Sequence, residues 1–231
     1  MSSDENSPEL NLFDRDAGRY NATRRQLIPC FDDFYGTLIE RLPFDVAAEL
    51  EFVDLGAGTG LVTSMLLERF PNSRVTLVDV SENMLEQARI RLESYSDRLS
   101  WVVSDFERVE FVSSYDAVVS SLAIHHLNAA GKRVLYEKVF GSLKPGGWFL
   151  NADEVEGPTA ADEQVYRDVW KEKVLATGIA IEEFEAALER QKQDKRSKLI
   201  EQLEWLGEIG FERVDCWYKF YSFLVFGGCR P

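Results

Sequence analysis

The spacing of hydrophobic positions changes several times along this chain, and each change marks the end of a predicted element. From Glu51 onward, short apolar runs typical of buried strands alternate with longer segments that have helical spacing. The predicted strands are Phe52–Leu55, Val75–Val80, Leu99–Val103, Tyr115–Ser120 and Trp148–Ala152. The predicted helices are Leu61–Phe70, Ser81–Leu92 with Ser81 as its N-terminal cap, and Ala129–Leu143. Leu143–Gly147 is predicted to turn from the last of these helices into the strand at Trp148. This alternation predicts an α/β fold with a parallel, doubly wound sheet.

The two ends of the chain break this alternation. Phe13–Leu42 has helical spacing with one interruption at Pro29, and Glu156–Gly207 is charged and helical throughout. The last two apolar runs, Arg213–Tyr218 and Tyr221–Phe226, are so close that they suit a hairpin, so at least one should be antiparallel. We therefore expect a disordered tail at 1–12, a helical lid at 13–45, a binding core at 46–155, a helical cap at 156–207 and strands that complete the core sheet at 208–231.

Composition and charge narrow the class of partner. The 231 residues carry a formal net charge of −14 and no basic stripe, so a phosphate backbone would be repelled and direct nucleic-acid binding is not expected. The first residues lack the basic and apolar regions of a signal peptide, and no apolar run approaches the roughly 20 residues that span a bilayer. We expect a cytoplasmic protein that acts on a small molecule, without a membrane partner.

The strongest chemical signal is a glycine-rich turn directly after the first predicted strand. Gly56, Gly58 and Gly60 occupy alternate positions and precede a predicted helix, and Asp54 lies just before them. Glycine reaches positive φ and has no Cβ, so the backbone here can approach a ligand closely at the carboxyl end of a central strand. The turn predicts a nucleotide-binding site, with Asp54 as a further candidate contact.

Two acidic residues follow the next two predicted strands. Asp79 comes about 20 residues after the glycines, where a carboxylate can accept hydrogen bonds from both hydroxyls of a ribose; the alternative is a solvated strand-end acid. Asp105 can accept a hydrogen bond from an exocyclic adenine amine. Phe106 can lie against the adenine ring and Met84 against its other face, although core packing explains both residues nearly as well.

The segment after the fourth predicted strand contains the only two histidines of the chain, His125 and His126. This segment begins near Ser121, itself a candidate contact of the bound ligand, and should pass beside the reactive end of a ligand held by the glycine turn. A neutral imidazole there could take a proton from an attacking nucleophile, whereas a lone histidine more often serves packing. No third ligand is evident beside them, so no metal site is predicted.

Two further groups have open interpretations. The N-terminal helical segment is either a pair of helices packed on the edge of the domain or a lid, with Tyr20 and Arg25 reaching a carboxylate of the ligand. Asp153 and Glu154 follow the fifth predicted strand, where either carboxylate could bind a cationic acceptor.

Five segments, in their order and spacing, resemble class I S-adenosylmethionine-dependent methyltransferases: V-D-L-G-A-G-T-G, V-D-V-S-E-N-M-L, S-D-F, S-S-L-A-I-H-H-L and L-K-P-G-G. The resemblance covers about Phe13 to Ala152. It implies a Rossmann-like, seven-stranded sheet with an antiparallel last strand, S-adenosyl-L-methionine as cofactor and S-adenosyl-L-homocysteine as product. It also implies that the three glycines border the methionine moiety, Asp79 the ribose, and Asp105 and Phe106 the adenine.

The resemblance predicts methyl transfer to a small-molecule acceptor by direct in-line displacement, with His126 as the first candidate base and His125 as the second. Binding of NAD is disfavoured, because Leu61 stands where that fingerprint requires a third glycine. A non-catalytic module that binds S-adenosylmethionine and regulates a partner is a further alternative. Aromatic residues of the cap could serve a homodimer as readily as a substrate.

The distal part of the chain is also similar to carboxy-S-adenosylmethionine synthases, which make a modified cofactor for tRNA wobble-uridine modification. Members of that subgroup use an arginine of the cap to hold the extra carboxylate. Here Leu188 aligns near that arginine, and Arg190 follows two residues later. The regular glycine turn of this chain departs from that subgroup, so the sequence favours a methyltransferase.

Overall fold

The computed structural model describes residues 23–111 and 114–231, and its centre is a seven-stranded sheet with the order β3-β2-β1-β4-β5-β7-β6. The strands are β1 Glu51–Leu55, β2 Arg74–Asp79, β3 Leu99–Val103, β4 Tyr115–Ser121, β5 Leu143–Glu154, β6 Glu212–Phe220 and β7 Phe223–Cys229. Strands β1 to β5 are parallel, and β7 runs antiparallel to both β5 and β6. The predicted doubly wound α/β sheet with an antiparallel last strand is confirmed.

Helices cover both faces of this sheet. They are α1 Phe31–Glu40, α2 Leu61–Arg69, α3 Glu82–Arg91, α4 Ala129–Ser142, α5 Ala160–Ala176, α6 Ile181–Gln191 and α7 Leu199–Ile209. In β1, Phe52 belongs to the buried cluster on one face and Val53 to the cluster on the other, because successive side chains of a strand point to opposite faces. A strand that is buried on both sides needs a continuous apolar run, which explains the sequence pattern.

The main local difference from prediction is in β5. Leu143–Gly147 is predicted to be a turn before the strand, but β5 already begins at Leu143. The register between β4 and β5 shifts between Tyr115 and Ala117, so the turn residues form an irregularity inside a longer strand. Proline and glycine are tolerated at such a bulge, which is why they signalled a turn.

Residues 156–207 contain α5, α6 and the start of α7, and they contact the N-terminal segment directly. The Trp170 indole Nε1 donates a hydrogen bond to the Leu27 carbonyl oxygen at 2.9 Å, and the Trp170 ring stacks on Phe184 with centroids 5.7 Å apart. Lys132 of α4 donates hydrogen bonds to the Lys195 carbonyl and, at 2.9 Å, to Ser197 Oγ. These contacts bring the N-terminal segment and the cap over the same edge of the sheet.

The proposed boundaries of lid, core and cap stay a prediction, as does a homodimer through the cap, and the predicted tail at 1–12 lies outside the described residues. Within the part of the chain that the structure describes, no helix combines the length and the apolar character needed to cross a bilayer.

Candidate functional site

The glycine turn between β1 and α2 has the backbone that its sequence predicts. Gly56, Gly58 and Gly60 have φ values of +69°, +53° and +75°, a region that L residues adopt only with strain. The amides of Gly56 and Ala57 both donate to the Val78 carbonyl oxygen, at 2.8 and 3.1 Å. A Cβ on Gly56 would come within 2.3 Å of the Ala123 Cβ, so the turn lies tightly against the segment after β4.

Asp79, at the end of β2, holds this turn in place. Its Oδ2 accepts a hydrogen bond from the Gly58 amide at 2.7 Å, and its Oδ1 accepts one from the Ser81 amide at 2.9 Å. The Ser81 hydroxyl in turn accepts from the Met84 amide at 3.1 Å and caps α3, as predicted. Asp79 is 9% exposed and therefore lies at the boundary between the core and the edge of the sheet.

Asp54 is a buried acid directly behind the glycine turn. Its Oδ2 accepts a hydrogen bond from Thr63 Oγ1 of α2 at 2.7 Å, which links β1 to the helix that follows. Burial raises the pKa of Asp54 to about 6, against the opposing effects of the Thr63 hydrogen bond and the nearby positive charge of Arg24. Asp54 thus supports the turn from inside the core.

The remaining predicted cofactor residues lie around the turn. Phe106 comes within 3.2 Å of the position that a Cβ on Gly56 would take, so its ring covers the turn. Asp105 is 40% exposed and accepts a hydrogen bond from the Arg108 amide at 2.8 Å. Met84 is buried, and the Ser121 hydroxyl is hydrogen-bonded to the Tyr35 hydroxyl at 3.2 Å.

The N-terminal segment presents a different arginine to the site from the one predicted. Tyr20 lies outside the described residues. The Arg25 side chain is 64% exposed and forms an ion pair with Asp32 at 2.9 Å. Arg24 is 7% exposed and lies over the Tyr35 ring. Neighbouring residues of a helix point in directions about 100° apart, so the sequence alone could not decide which of the two faces inward.

A pocket of about 100 Å³ lies between the N-terminal segment, the strand ends and the cap. Its lining comes from residues 24–28, from the ends of β4 and β5, from the start of β7, and from α5 and the region of α6: Arg24, Leu27, Ile28, Leu122, His125, His126, Glu154, Trp170, Ala187, Arg190, Gln191, Asp194 and Phe223. Leu122 has a φ of +49° and immediately precedes Ala123, which contacts the glycine turn. The pocket is therefore next to the predicted cofactor site.

Both histidines line this pocket on a short 3₁₀ turn, and each approaches the same carboxylate. His125 Nδ1 lies 2.5 Å from Asp153 Oδ1, and His125 Nε2 lies 3.4 Å from Asp194 Oδ1. His126 Nδ1 lies 3.6 Å from that same oxygen of Asp194, and the two imidazole rings are 4.2 Å apart. Asp194 could not be predicted from the sequence, because it belongs to a cap with many charged residues and no pattern that shows which of them face inward.

The electrostatics of this cluster differ from one residue to the next. Burial alone lowers the pKa of His125, but the carboxylates of Asp153 and Asp194 outweigh burial and hold that pKa well above its ordinary value of 6.5. Burial and the neighbouring His125 lower the pKa of His126 to about 4. Burial raises the pKa of Glu154 to about 7, partly offset by His125 and Arg196. The cluster thus places two imidazoles and three carboxyl groups in one poorly solvated space.

Comparison with known proteins gives one match to a domain family and several matches to individual proteins. Residues 52–147 match the profile of the methyltransferase domain family. Malonyl-[acyl-carrier protein] O-methyltransferase of Acetivibrio thermocellus is 32% identical over 135 residues, which make up 58% of this chain and 45% of that protein. Carboxy-S-adenosyl-L-methionine synthase of Nautilia profundicola is 22% identical over 230 residues, covering 96% of this chain and 97% of that protein. The chain spans less than half the length of the malonyl-[acyl-carrier protein] methyltransferases that it matches.

Solved structures with the same fold extend over the whole chain. N-methyltransferase NodS from Bradyrhizobium japonicum, in complex with S-adenosyl-L-homocysteine, has a TM-score of 0.67 at 15% identity and covers 97% of this chain and 100% of its own. The DhpI-SAM-HEP complex has a TM-score of 0.66 at 19% identity and covers both chains completely. At these identities the likeness concerns the fold.

Proposed function

We propose that the chain is a class I S-adenosylmethionine-dependent methyltransferase that transfers a methyl group to a small-molecule acceptor by direct in-line displacement. The match of residues 52–147 to the methyltransferase domain family and the shared fold support this proposal. The observation that carries this proposal is the position of the pocket. Its wall includes Leu122, and the next residue, Ala123, packs against Gly56 of the glycine turn. An acceptor in this pocket would therefore lie beside the methionine end of the cofactor that the family uses.

The residues around the turn fit this cofactor. A Cβ on Gly58 would meet no atom within 4 Å, so the backbone of the turn is open to a ligand at this glycine. Asp79 stands at the end of β2, where the family binds the ribose, and the aromatic ring of Phe106 is available to an adenine. When bound, S-adenosylmethionine supplies an activated methyl group on its sulfonium. The roles of these residues are part of the proposal.

The chain itself would contribute alignment and exclusion of water. Trp170, Phe223 and Ile28 supply apolar walls to the pocket, and the hydrogen bond between Trp170 and Leu27 ties the cap to the N-terminal segment. Holding an acceptor in line with the methyl group while water is excluded is the main requirement of this displacement. The base roles of His126 and His125, which line the same pocket, stay a prediction.

A small acceptor is favoured by the size and charge of the pocket. A volume of about 100 Å³ is below the roughly 300–1,000 Å³ of pockets for drug-sized ligands. The polar residues that line it carry charges of both signs: Arg24 and Arg190 are basic, and Asp194 is acidic. The acidic net charge of the chain also favours a small molecule over a nucleic acid.

Mass spectrometry of the small molecules released from freshly purified, denatured protein tests the cofactor. We expect S-adenosylmethionine or S-adenosylhomocysteine, and we expect calorimetric titration with S-adenosylhomocysteine to give saturable binding. Asp79→Ala should weaken that binding, whereas Asp97→Ala, at an exposed position, is the matched control. Absence of binding in the unsubstituted protein would refute the proposal.

Acceptors carrying hydroxyl, amine, thiol or carboxylate groups are then screened by the formation of S-adenosylhomocysteine. Turnover with at least one compact acceptor supports methyl transfer. Binding of the cofactor without turnover across the set would instead favour the non-catalytic regulatory module.

A carboxy-S-adenosylmethionine synthase-like activity is the second candidate, and one observation favours it. Arg190 lines the pocket, whereas Leu188 packs against the hydrophobic core, so Arg190 is a cap arginine positioned to face an extra carboxylate. The relative with this name from Nautilia profundicola also covers nearly the whole chain. Recovery of an adenosyl compound heavier by one carboxylate would favour this candidate over methyl transfer.

A further inference from the structure

The side chains of His125, His126 and Asp194 are arranged in a way that the predicted base roles do not explain. One oxygen, Asp194 Oδ1, faces an imidazole nitrogen of each histidine, at 3.4 and 3.6 Å. Both distances exceed the usual range of about 2.7–3.2 Å for an N–H···O hydrogen bond. The ligand atoms of the three residues all lie within 4.8 Å of one another.

The two separations from Asp194 Oδ1 are close to those of atoms that share one ion. Two ligand atoms that are each about 2.1 Å from a metal, at angles between about 90° and 109°, are about 3.0–3.4 Å apart. The distances from Asp194 Oδ1 to the two imidazole nitrogens are at or just above this range. The two imidazole nitrogens lie within 4.8 Å of each other, so binding of an ion would draw the two rings together by up to about 1.4 Å.

The surroundings of His125 are also those of a metal-ligating histidine. Its Nδ1 is held by the buried carboxylate of Asp153 at 2.5 Å, and its backbone amide donates to the other oxygen of Asp153 at 3.1 Å. Such a carboxylate fixes the ring orientation and leaves Nε2 directed at the ligand, here toward Asp194. Asp153 itself is fixed by the Asn151 amide at 3.2 Å and by the Glu154 backbone amide at 2.9 Å.

We propose that His125, His126 and Asp194 form a site for a first-row divalent transition-metal ion, with Asp153 as the positioning residue for His125. Two imidazoles and one carboxylate suit zinc, iron(II), cobalt(II) or nickel(II) rather than magnesium or calcium, which prefer oxygen ligands. All three ligands line the pocket, so the remaining coordination positions face the place where the acceptor is proposed to bind.

This site deepens the proposed function and rests on it for the identity of the pocket. An ion there favours acceptors with an oxygen donor, such as a hydroxyl or a carboxylate, because that group can complete the coordination. The ion would occupy the same imidazole lone pairs that a base needs. The predicted base roles of His126 and His125 therefore apply only to metal-free protein.

The test uses the full chain without a polyhistidine tag, because the chain has only two histidines of its own. After treatment with a chelator, the protein is titrated with Co²⁺ by calorimetry and visible absorption. We expect one ion per chain. Asp194→Asn should weaken the affinity at least about 10-fold, and Asp153→Asn about 10- to 100-fold. Asp168→Asn, an exposed acid on α5, is the matched control and should equal the unsubstituted protein.

Histidine-selective ¹⁵N labelling gives a second readout that needs no variant. The chain has two imidazoles, and paramagnetic Co²⁺ should shift both sets of signals at one equivalent. Unshifted imidazole signals, or a Co²⁺ affinity that Asp194→Asn leaves unchanged, would overturn the metal site. If the protein then still binds S-adenosylhomocysteine, only the metal site has failed, whereas loss of both would remove the proposed function as well.

Discussion

Replacing two glycines of the same turn by alanine should have different effects on stability and on cofactor binding. Gly56 and Gly58 both have positive φ, but their surroundings differ. A Cβ on Gly56 would lie 2.3 Å from the Ala123 Cβ and 3.2 Å from the Phe106 ring, whereas a Cβ on Gly58 would meet no atom within 4 Å. Gly178, with φ of +73° and no atom within 4 Å of its added Cβ, offers a control outside the turn.

The magnitudes follow from these contacts. Placing an L residue in the left-handed region costs about 1–2 kcal/mol, and we expect that loss of unfolding free energy for Gly58→Ala and Gly178→Ala. Gly56→Ala adds an overlap with Ala123, whose Cβ cannot rotate away. Overpacking of this kind costs about 1–3 kcal/mol more, so the total for Gly56→Ala is about 2–5 kcal/mol.

Urea unfolding measures the stabilities, and calorimetric titration with S-adenosylhomocysteine measures the affinities. We expect Gly56→Ala to lose the most stability, while Gly58→Ala weakens binding and Gly178→Ala, with equal strain, does not. Equal stability losses for Gly56→Ala and Gly58→Ala would refute the argument from the Ala123 contact. Equal affinities for Gly58→Ala and Gly178→Ala would refute the placement of the cofactor beside the turn.

Two further predictions concern charge. Because burial raises the pKa of Asp54 from 3.8 to about 6, its ionisation destabilises the folded state as pH rises through this interval. Relative to the unsubstituted chain, the free energy of unfolding of Asp54→Asn should therefore rise by up to about 3 kcal/mol between pH 4 and pH 7. A difference in unfolding free energy between the two proteins that stays the same at both pH values would contradict this. For the arginines, we expect Arg24→Ala to weaken S-adenosylhomocysteine binding at least about 10-fold, because its charge lies in the wall of the pocket and acts on Asp54, which is buried directly behind the glycine turn. Arg25→Ala should leave the affinity unchanged. If calorimetric titration shows instead that Arg25→Ala weakens binding and Arg24→Ala does not, the original prediction for Arg25 is supported.

The sequence by itself determined the elements and their order. Phe52–Leu55 had to be a strand buried on both faces, and the glycines after it had to form a turn, because local conformation and burial follow from nearby residues. The short link between the last two runs likewise required an antiparallel pair. Even the cap of α3 by Ser81 was readable, since it involves neighbours within one turn.

Only the tertiary structure decided which distant side chains meet. Asp194 of the cap reaches His125 and His126 across about 70 residues of sequence, and Arg24 rather than Arg25 faces the pocket. Such contacts depend on how helices rotate and pack against the sheet, and a rotation of one residue exchanges an inward side chain for an outward one. In a helix with many charged residues, the spacing of hydrophobic positions does not show which side faces the sheet. The fold was therefore predictable from the sequence, whereas the chemistry of the pocket required the structure.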